Sequence, residues 1–212
     1  MELTYLRQLL TALNITCVID VGANRGQFAL DLRSIGFSGK IVSFEPVASV
    51  YEELTAVMGR DANWQGFNFA LGSENGTMQI NVGKNSQLSS LNDFREAEHM
   101  ERVETIEIRR LDSMWDSIFN DHSEDRFFLK MDTQGFDHEV FAGAEGCIDR
   151  FQGLMSEVTL IPLYKSTPRY LESLAMFEKA GFSVCSLTPV FRKPSLEVVE
   201  FNCMMRRTRT TA

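Results

Sequence analysis

VIDVGANRGQFALDLRSIGF, running from Val18 to Phe37, is the stretch that decides the fold. Apolar β-formers flank a single acid, Asp20; glycines follow at Gly22 and Gly26; from Gln27 onward the apolar residues fall at helical spacing. A short buried strand, a glycine turn and an amphipathic helix in that order is the opening unit of a parallel α/β sheet. In such sheets ligands bind beyond the carboxyl ends of the strands, and the first strand-to-helix turn is where bare backbone approaches them. The plainer reading is a tight turn whose glycines supply positive φ and whose Asn24 caps the helix.

The rest of the chain repeats the rhythm. CVIDVG, KIVSFEP, QGFNFALG, RFFLKMD and GLMSEVTL read as short, largely buried strands, with helices expected over Gln27–Ile35, Val47–Met58, His138–Arg150 and Tyr170–Ala180. Alternation of this kind predicts an α/β fold, a doubly wound and mostly parallel sheet. Two segments depart from it: TMQINVGKNSQLSSL with VETIEIRRL reads as an antiparallel excursion, and FSVCSLTPVFR with LEVVEFNCMMR as a C-terminal antiparallel hairpin. One domain is expected over residues 1–212, with an N-terminal helix in 1–16, the catalytic fold in 17–207 and a tail in 208–212.

Composition narrows the function classes. The chain has 212 residues, 44% hydrophobic and 24% charged, ordinary globular values, and no apolar run long enough for a membrane span. Its N-terminus lacks the basic, apolar and small-residue regions of a signal peptide, so a cytoplasmic location is expected. The four cysteines are scattered in apolar runs without a C-x-x-C pair, which predicts buried thiols. His99, His122 and His138 form no metal-ligand spacing with them. A net charge of −8 argues against a nucleic-acid partner.

Two acids carry the cofactor reading. Asp20 sits where a phosphate would be repelled, so the turn suits a cationic ligand; Glu45 ends the second strand 25 residues later, where an acid meets ribose hydroxyls in this architecture. Together they describe S-adenosylmethionine better than NAD, whose fingerprint needs a third glycine where this chain has Phe28 and Ala29. An NAD(P)-dependent oxidoreductase is the alternative, weakened because Tyr164 and Lys165 are adjacent rather than spaced for hydride chemistry; a non-catalytic nucleoside-binding module is the other.

The segments VIDVGANRGQF, VSFEP, NFALGSENGTMQINV, SQLSSL, RRLDSM and FLKMDTQGFDHEVFAGAEG, within about Cys17 to Tyr164, together resemble the FkbM-type S-adenosylmethionine-dependent methyltransferases. The resemblance implies a class I methyltransferase fold, Rossmann-like, with a seven-stranded sheet whose last strand is antiparallel, and O-methylation of a hydroxyl on a sugar, glycolipid or natural product. It places Asp20, Gly22, Ala23, Asn24 and Gly26 around the methionine part, Glu45 and Pro46 at the ribose, and Ala70 and Leu71 beside adenine. It also lets Ser89 reach the cofactor. Where the family commonly reads K-I-D-x-E-G-x-E, this chain reads Lys130-Met131-Asp132-Thr133-Gln134-Gly135-Phe136-Asp137, with Gln134 in place of a frequent acid.

Methyl transfer to a hydroxyl needs a proton acceptor beside the oxygen, and Asp132, at the end of the fourth parallel strand, is the first candidate. Lys130 shares its face at i, i+2 spacing and would keep it ionised or steady a developing alkoxide. Glu157 ends the next strand; it would bind substrate, join Asp132 at a divalent cation, or pair with Lys130. A metal-free site is favoured, because Gln134 replaces the acid that would complete an oxygen ligand set. Acceptor specificity is expected in Asn92–Arg102 and Ile161–Pro168, for a small-molecule or glycan acceptor, with homo-oligomerisation left open.

Overall fold

A computed structural model of the chain describes residues 3–83, 100–119, 125–161 and 168–208. The elements are α1 (Leu3–Ala12), β1 (Cys17–Val21), α2 (Gln27–Ser34), β2 (Lys40–Phe44), α3 (Ala48–Met58), β3 (Trp64–Phe67), β4 (Ala70–Leu71), β5 (Gly76–Gly83) and β6 (Met100–Arg109). Then come α4 (Leu111–Phe119), β7 (Phe127–Met131), α5 (Asp137–Ala142), a 3-10 turn (Glu145–Arg150), β8 (Phe151–Thr159), α6 (Tyr170–Lys179), β9 (Phe182–Arg192) and β10 (Val198–Arg207). Seven strands form one sheet in the order β3-β2-β1-β7-β8-β10-β9, in which β10 alone runs against its neighbours. A second sheet, β4-β6-β5, holds the antiparallel excursion.

The central strands β1 and β7 are buried on both faces and mostly apolar, as parallel strands are when helices cover both sides. One face packs Val18, Ile41, Phe128 and Met155 against Leu6, Leu9, Phe28, Leu32 and Leu54 from α1, α2 and α3. The other packs Ile19, Phe44, Leu129 and Leu154 against residues of α4, α5 and α6, including Trp115, Val140 and Phe177. The core is therefore split into two layers by the sheet.

Three expected elements differ. QGFNFALG is not one strand: it turns at Asn68, whose Nδ2 donates to the carbonyls of Glu45 (2.9 Å) and Pro46 (3.1 Å), sending β3 and β4 into different sheets. The helix expected over His138–Arg150 stops at Ala142, because Gly143 lies against the Gly72 carbonyl, where a Cβ would stand 1.9 Å from that oxygen. Helix α4 was not foreseen, although Leu111, Met114, Trp115, Ile118 and Phe119 carry the helical spacing that buries it.

Candidate active site

The crossing order puts the carboxyl ends of β2, β1, β7 and β8 side by side. Register aligns Ser43, Asp20 and Lys130 as direct partners across β2, β1 and β7. Their side chains form a buried polar row. Trp64 Nε1 donates to Ser43 Oγ (3.1 Å), Ser43 Oγ donates to Asp20 Oδ2 (3.4 Å), and Asp20 Oδ1 lies 2.8 Å from Lys130 Nζ. The ammonium also donates to the Gly22 carbonyl at 2.9 Å and stands 5.4 Å from the centre of the Phe28 ring.

This arrangement bears on the expectations for Asp20, Lys130 and Glu157. Asp20 is fully buried and its charge is answered by Lys130 from within the protein, so it is not an open acceptor for a cationic ligand. Lys130, with 4% of its side chain exposed, directs its ammonium to Asp20 and to the turn after β1, and so ties the ends of β1 and β7 together. Burial alone would lower its pKa, but Asp20 above all, with Asp132 and Asp137, lifts it above the ordinary lysine value. Nor does Glu157 serve as the partner of Lys130, since Asp20 fills that place.

The turn itself is built by backbone approach. Gly22 has φ +72, and a Cβ on it would stand 2.0 Å from the Asp132 carbonyl oxygen, while Asp132 N donates to Val21 O at 3.1 Å. The glycine thus lets the ends of β1 and β7 close on each other. Asn24 and Gly26 are also left-handed, and Ala23 is buried between them and β1. This curl aims Asn24 N at Glu45 Oε2 (2.9 Å), and Val47 N reaches Oε1 of the same carboxyl (3.0 Å). Burial pushes Glu45 up to about 7 against the opposing pull of those two amides. Pro46 is half-buried beside it. Ala70 and Leu71 are buried in β4, in one core cluster with Phe44 and Phe69; Phe69 meets Phe44 and Phe67 and carries the Arg109 guanidinium 4.6 Å over its ring.

Beyond β7 the chain enters an acidic crevice. Asp132 keeps 42% of its side chain exposed, and its Oδ2 lies 3.8 Å from Lys130 Nζ. Gln134 Nε2 donates to Asp132 Oδ1 (3.2 Å) and to Glu157 Oε2 (2.9 Å), joining the ends of β7 and β8. Burial, then Asp132, Glu200 and Asp137, push Glu157 up to about 9, and burial takes Glu200, which accepts from Thr159, to about 7. Asp137 is buried and accepts from Thr133 N, Thr133 Oγ1 and Ser156 Oγ, closing the turn into α5. Residue by residue, then, Asp132 and Glu157 meet through Gln134 at the ends of β7 and β8, while Glu45 stands past the end of β2, with β1 between. His138 Nε2 is engaged by Ser173 Oγ at 2.8 Å, and Phe136 is buried in the core. Ser89 and most of the two segments expected to set specificity lie outside the described residues. Among the described residues no three His, Cys, Asp or Glu side chains group as metal ligands.

The sequence reading overlooked Asn68, and treated Gln134 only as a departure from a pattern. The model of the methyltransferase FkbM domain family matches residues 20–184, most of the chain. The protein belongs to the FkbM methyltransferase family. That sets the nicotinamide alternative aside: this is an S-adenosylmethionine-dependent methyltransferase with a class I fold. Among solved structures, a magnesium protoporphyrin IX methyltransferase from Synechocystis PCC 6803 with bound SAM is similar at TM-score 0.54 and 10% identity, over 97% of this chain and 78% of that one. An rRNA methylase from Streptococcus thermophilus is similar at TM-score 0.52 and 10% identity, over 99% and 98%. The methyltransferase domain of bacterial CtHen1 is similar at TM-score 0.52 and 11% identity, over 98% and 97%. At such identities the likeness is one of fold. A search of the curated proteins finds no match to this FkbM chain.

The donor set fits the cofactor. Each Glu45 oxygen accepts one backbone amide, and a carboxylate oxygen accepts more than one hydrogen bond, so capacity remains for a ribose diol. Asp132 presents a half-exposed carboxylate, which suits a crevice that must receive a cation. Among the described residues no helix is long and apolar enough to cross a membrane.

Proposed function

We propose that the protein O-methylates a hydroxyl of a small-molecule or glycan acceptor, with Asp132 as the proton acceptor. The observation that carries this reading is the placement of Asp132: a half-exposed carboxylate at the end of β7, backed by a buried lysine and bonded to an amide. When bound, S-adenosylmethionine supplies a methyl group made electrophilic by the sulfonium. Asp132 accepts the proton of the acceptor hydroxyl as its oxygen takes the methyl, a role for which a general base is worth about 10²–10⁴ in rate. Lys130 sets its cation 3.8 Å from that carboxylate, from inside the sheet. Glu45 holds the ribose, the Gly22–Gly26 turn receives the methionine part, and the aromatic group that shares a core cluster with Ala70 and Leu71 flanks adenine. Glu157 contacts the acceptor from the β8 side. No metal is needed in this scheme, because Gln134 places an amide where a further carboxylate would have helped to hold a cation. The net charge of −8 favours a small acceptor over a nucleic acid.

Asp132→Asn tests the proposal. It keeps the shape and the bond to Gln134 but removes the proton acceptor, so turnover on a responsive sugar or natural-product acceptor falls by about 10²–10⁴ with cofactor affinity unchanged. The same assay is run with a chelator, which leaves the wild-type rate unaltered. Near-wild-type turnover in the variant, or rescue of chelated enzyme by Mg²⁺, sinks the metal-free base.

A further inference from the structure

Gln134 is the least ordinary residue of the site. Its φ is +52, followed by Gly135 at +88, so the chain makes two consecutive left-handed steps directly after β7. The second is free for glycine. The first is not: a Cβ in this region crowds the following carbonyl oxygen, and glutamine lacks the short side chain by which asparagine and aspartate offset that crowding. Strain held at one residue beside a binding crevice is a pointer to function.

What the strain produces is visible in the contacts. The curl folds the Gln134 side chain back over the end of β7, where one NH₂ group meets two carboxyl groups from different strands, Asp132 Oδ1 at 3.2 Å and Glu157 Oε2 at 2.9 Å. An amide nitrogen has two hydrogens and serves both acceptors at once; an ionised acid in that place would serve neither and would add a third like charge. On its other side Asp132 faces Lys130, with Oδ2 3.8 Å from Nζ. The carboxylate is thus gripped at one oxygen by an amide and flanked at the other by a buried cation.

We propose that Gln134 is a positioning residue whose side-chain amide clamps Asp132 against Glu157 and so presents the Asp132 carboxylate to the crevice in a single orientation. The inference rests on Asp132 being the proton acceptor. The charged and titratable groups around the clamp are Asp20 on β1, Lys130 on β7, Asp137 on α5, Glu157 on β8 and Glu200 on β10. Glu157 is the member that stays protonated at neutral pH, and the bond from Gln134 works to lower its pKa. Loss of the amide removes that bond, favouring the protonated form of Glu157, and removes the matching bond that holds Asp132 in place.

The test uses Gln134→Met, which keeps length, volume and the strained backbone but donates nothing, with Gln134→Glu as the charge-adding counterpart. Two measurements are made on the full chain. In the cofactor-free protein, ¹³C-carboxyl NMR follows the titration of Glu157, which moves to higher pH in Gln134→Met by about one unit, the scale of one lost hydrogen bond to the charged form. In the active enzyme, kcat falls roughly 10- to 100-fold in Gln134→Met, the scale of a misplaced reacting group, while the KM for S-adenosylmethionine stays within twofold. The acidic limb of the kcat/KM profile moves to higher pH, further in Gln134→Glu. An unmoved Glu157 titration overturns the clamp. Loss confined to the cofactor KM, or kcat and the acidic limb both within twofold of wild type, overturns the positioning role. If wild-type enzyme methylates no hydroxyl acceptor, the base assignment fails on its own account and the NMR titration still decides whether the clamp exists.

Discussion

Replacing Lys130 with methionine is the sharpest available test of how the site is framed. The substitution conserves the length and most of the volume of the side chain and deletes only the charge and its hydrogen bonds. Asp20 would then sit at zero exposure with, among the described residues, the Ser43 hydroxyl at 3.4 Å as its side-chain partner. Breaking a buried pair from one side costs about 3–5 kcal/mol, because it strands the other charge. The Gly22 carbonyl loses its donor as well, which adds about 0.5–1.5 kcal/mol. For a chain of this size each kcal/mol lowers Tm by roughly 2–4 °C, so Lys130→Met is expected to melt about 10–15 °C below wild type. Urea denaturation followed by circular dichroism measures the loss directly. Replacing both partners, as Asp20→Leu with Lys130→Met, removes the stranded charge and recovers most of the stability, since a buried ion pair exchanged for packed apolar side chains is often neutral. A Lys130→Met protein within 1 kcal/mol of wild type refutes the buried-pair account. If it were also inactive, the lysine would return to the chemistry.

Glu45→Ala is expected to weaken S-adenosylhomocysteine binding by about 1.5–3 kcal/mol in calorimetry, the scale of hydrogen bonds to a charged group, and unchanged affinity in a folded variant would remove Glu45 from the site. Glu157 gives a prediction in pH. Its carboxyl is raised from 4.5 to about 9 in the folded chain, so the native state holds a proton that the unfolded chain gives up; that stability is complete below pH 4.5 and is lost as pH rises toward 9. Glu45 and Glu200, each raised to about 7, act with the same sign over the lower part of that window. Glu157→Gln should therefore flatten the decline of Tm between pH 5 and 9 and melt above wild type at pH 8–9; parallel curves for the two proteins would show that Glu157 ionises as freely when folded as when unfolded.

Much of the fold was legible because its signals are local. The Val18–Phe37 stretch carries strand, turn and helix within one window, and its reading survives with helix α2 ending one residue earlier than expected, at Ser34. The same is true of α3 and α6, whose buried residues follow the helical period, and of β2 and β7, short apolar runs buried at almost every position. The errors fall where a distant contact overrides the local pattern. Asn68 reads as one polar residue in a strand until its amide is seen to hold the carbonyls of Glu45 and Pro46, and Gly143 reads as a tolerable helix glycine until the Gly72 carbonyl is found against it. Helix α4 is a different case: its apolar spacing was present, but the β-rich run before it was carried too far along the chain.

The site was legible by address more than by partner. Topology alone sends the residues that end β1, β2, β7 and β8 to one edge, so Asp20, Glu45, Asp132 and Glu157 could be gathered from the sequence. Which acid faces the crevice depends on cross-strand register, and register is a property of pairs of strands that neither strand encodes by itself. It is register that sets Asp20 opposite Lys130, buries the two against each other, and leaves Asp132, one residue past the end of β7, as the half-exposed carboxylate. The same logic explains Gln134. In the sequence it is the loss of a charge; in the fold it is the gain of two donors at the point where two carboxyl groups from adjacent strands converge. A position judged by what it lacks can thus be understood only once the residues that meet it are known.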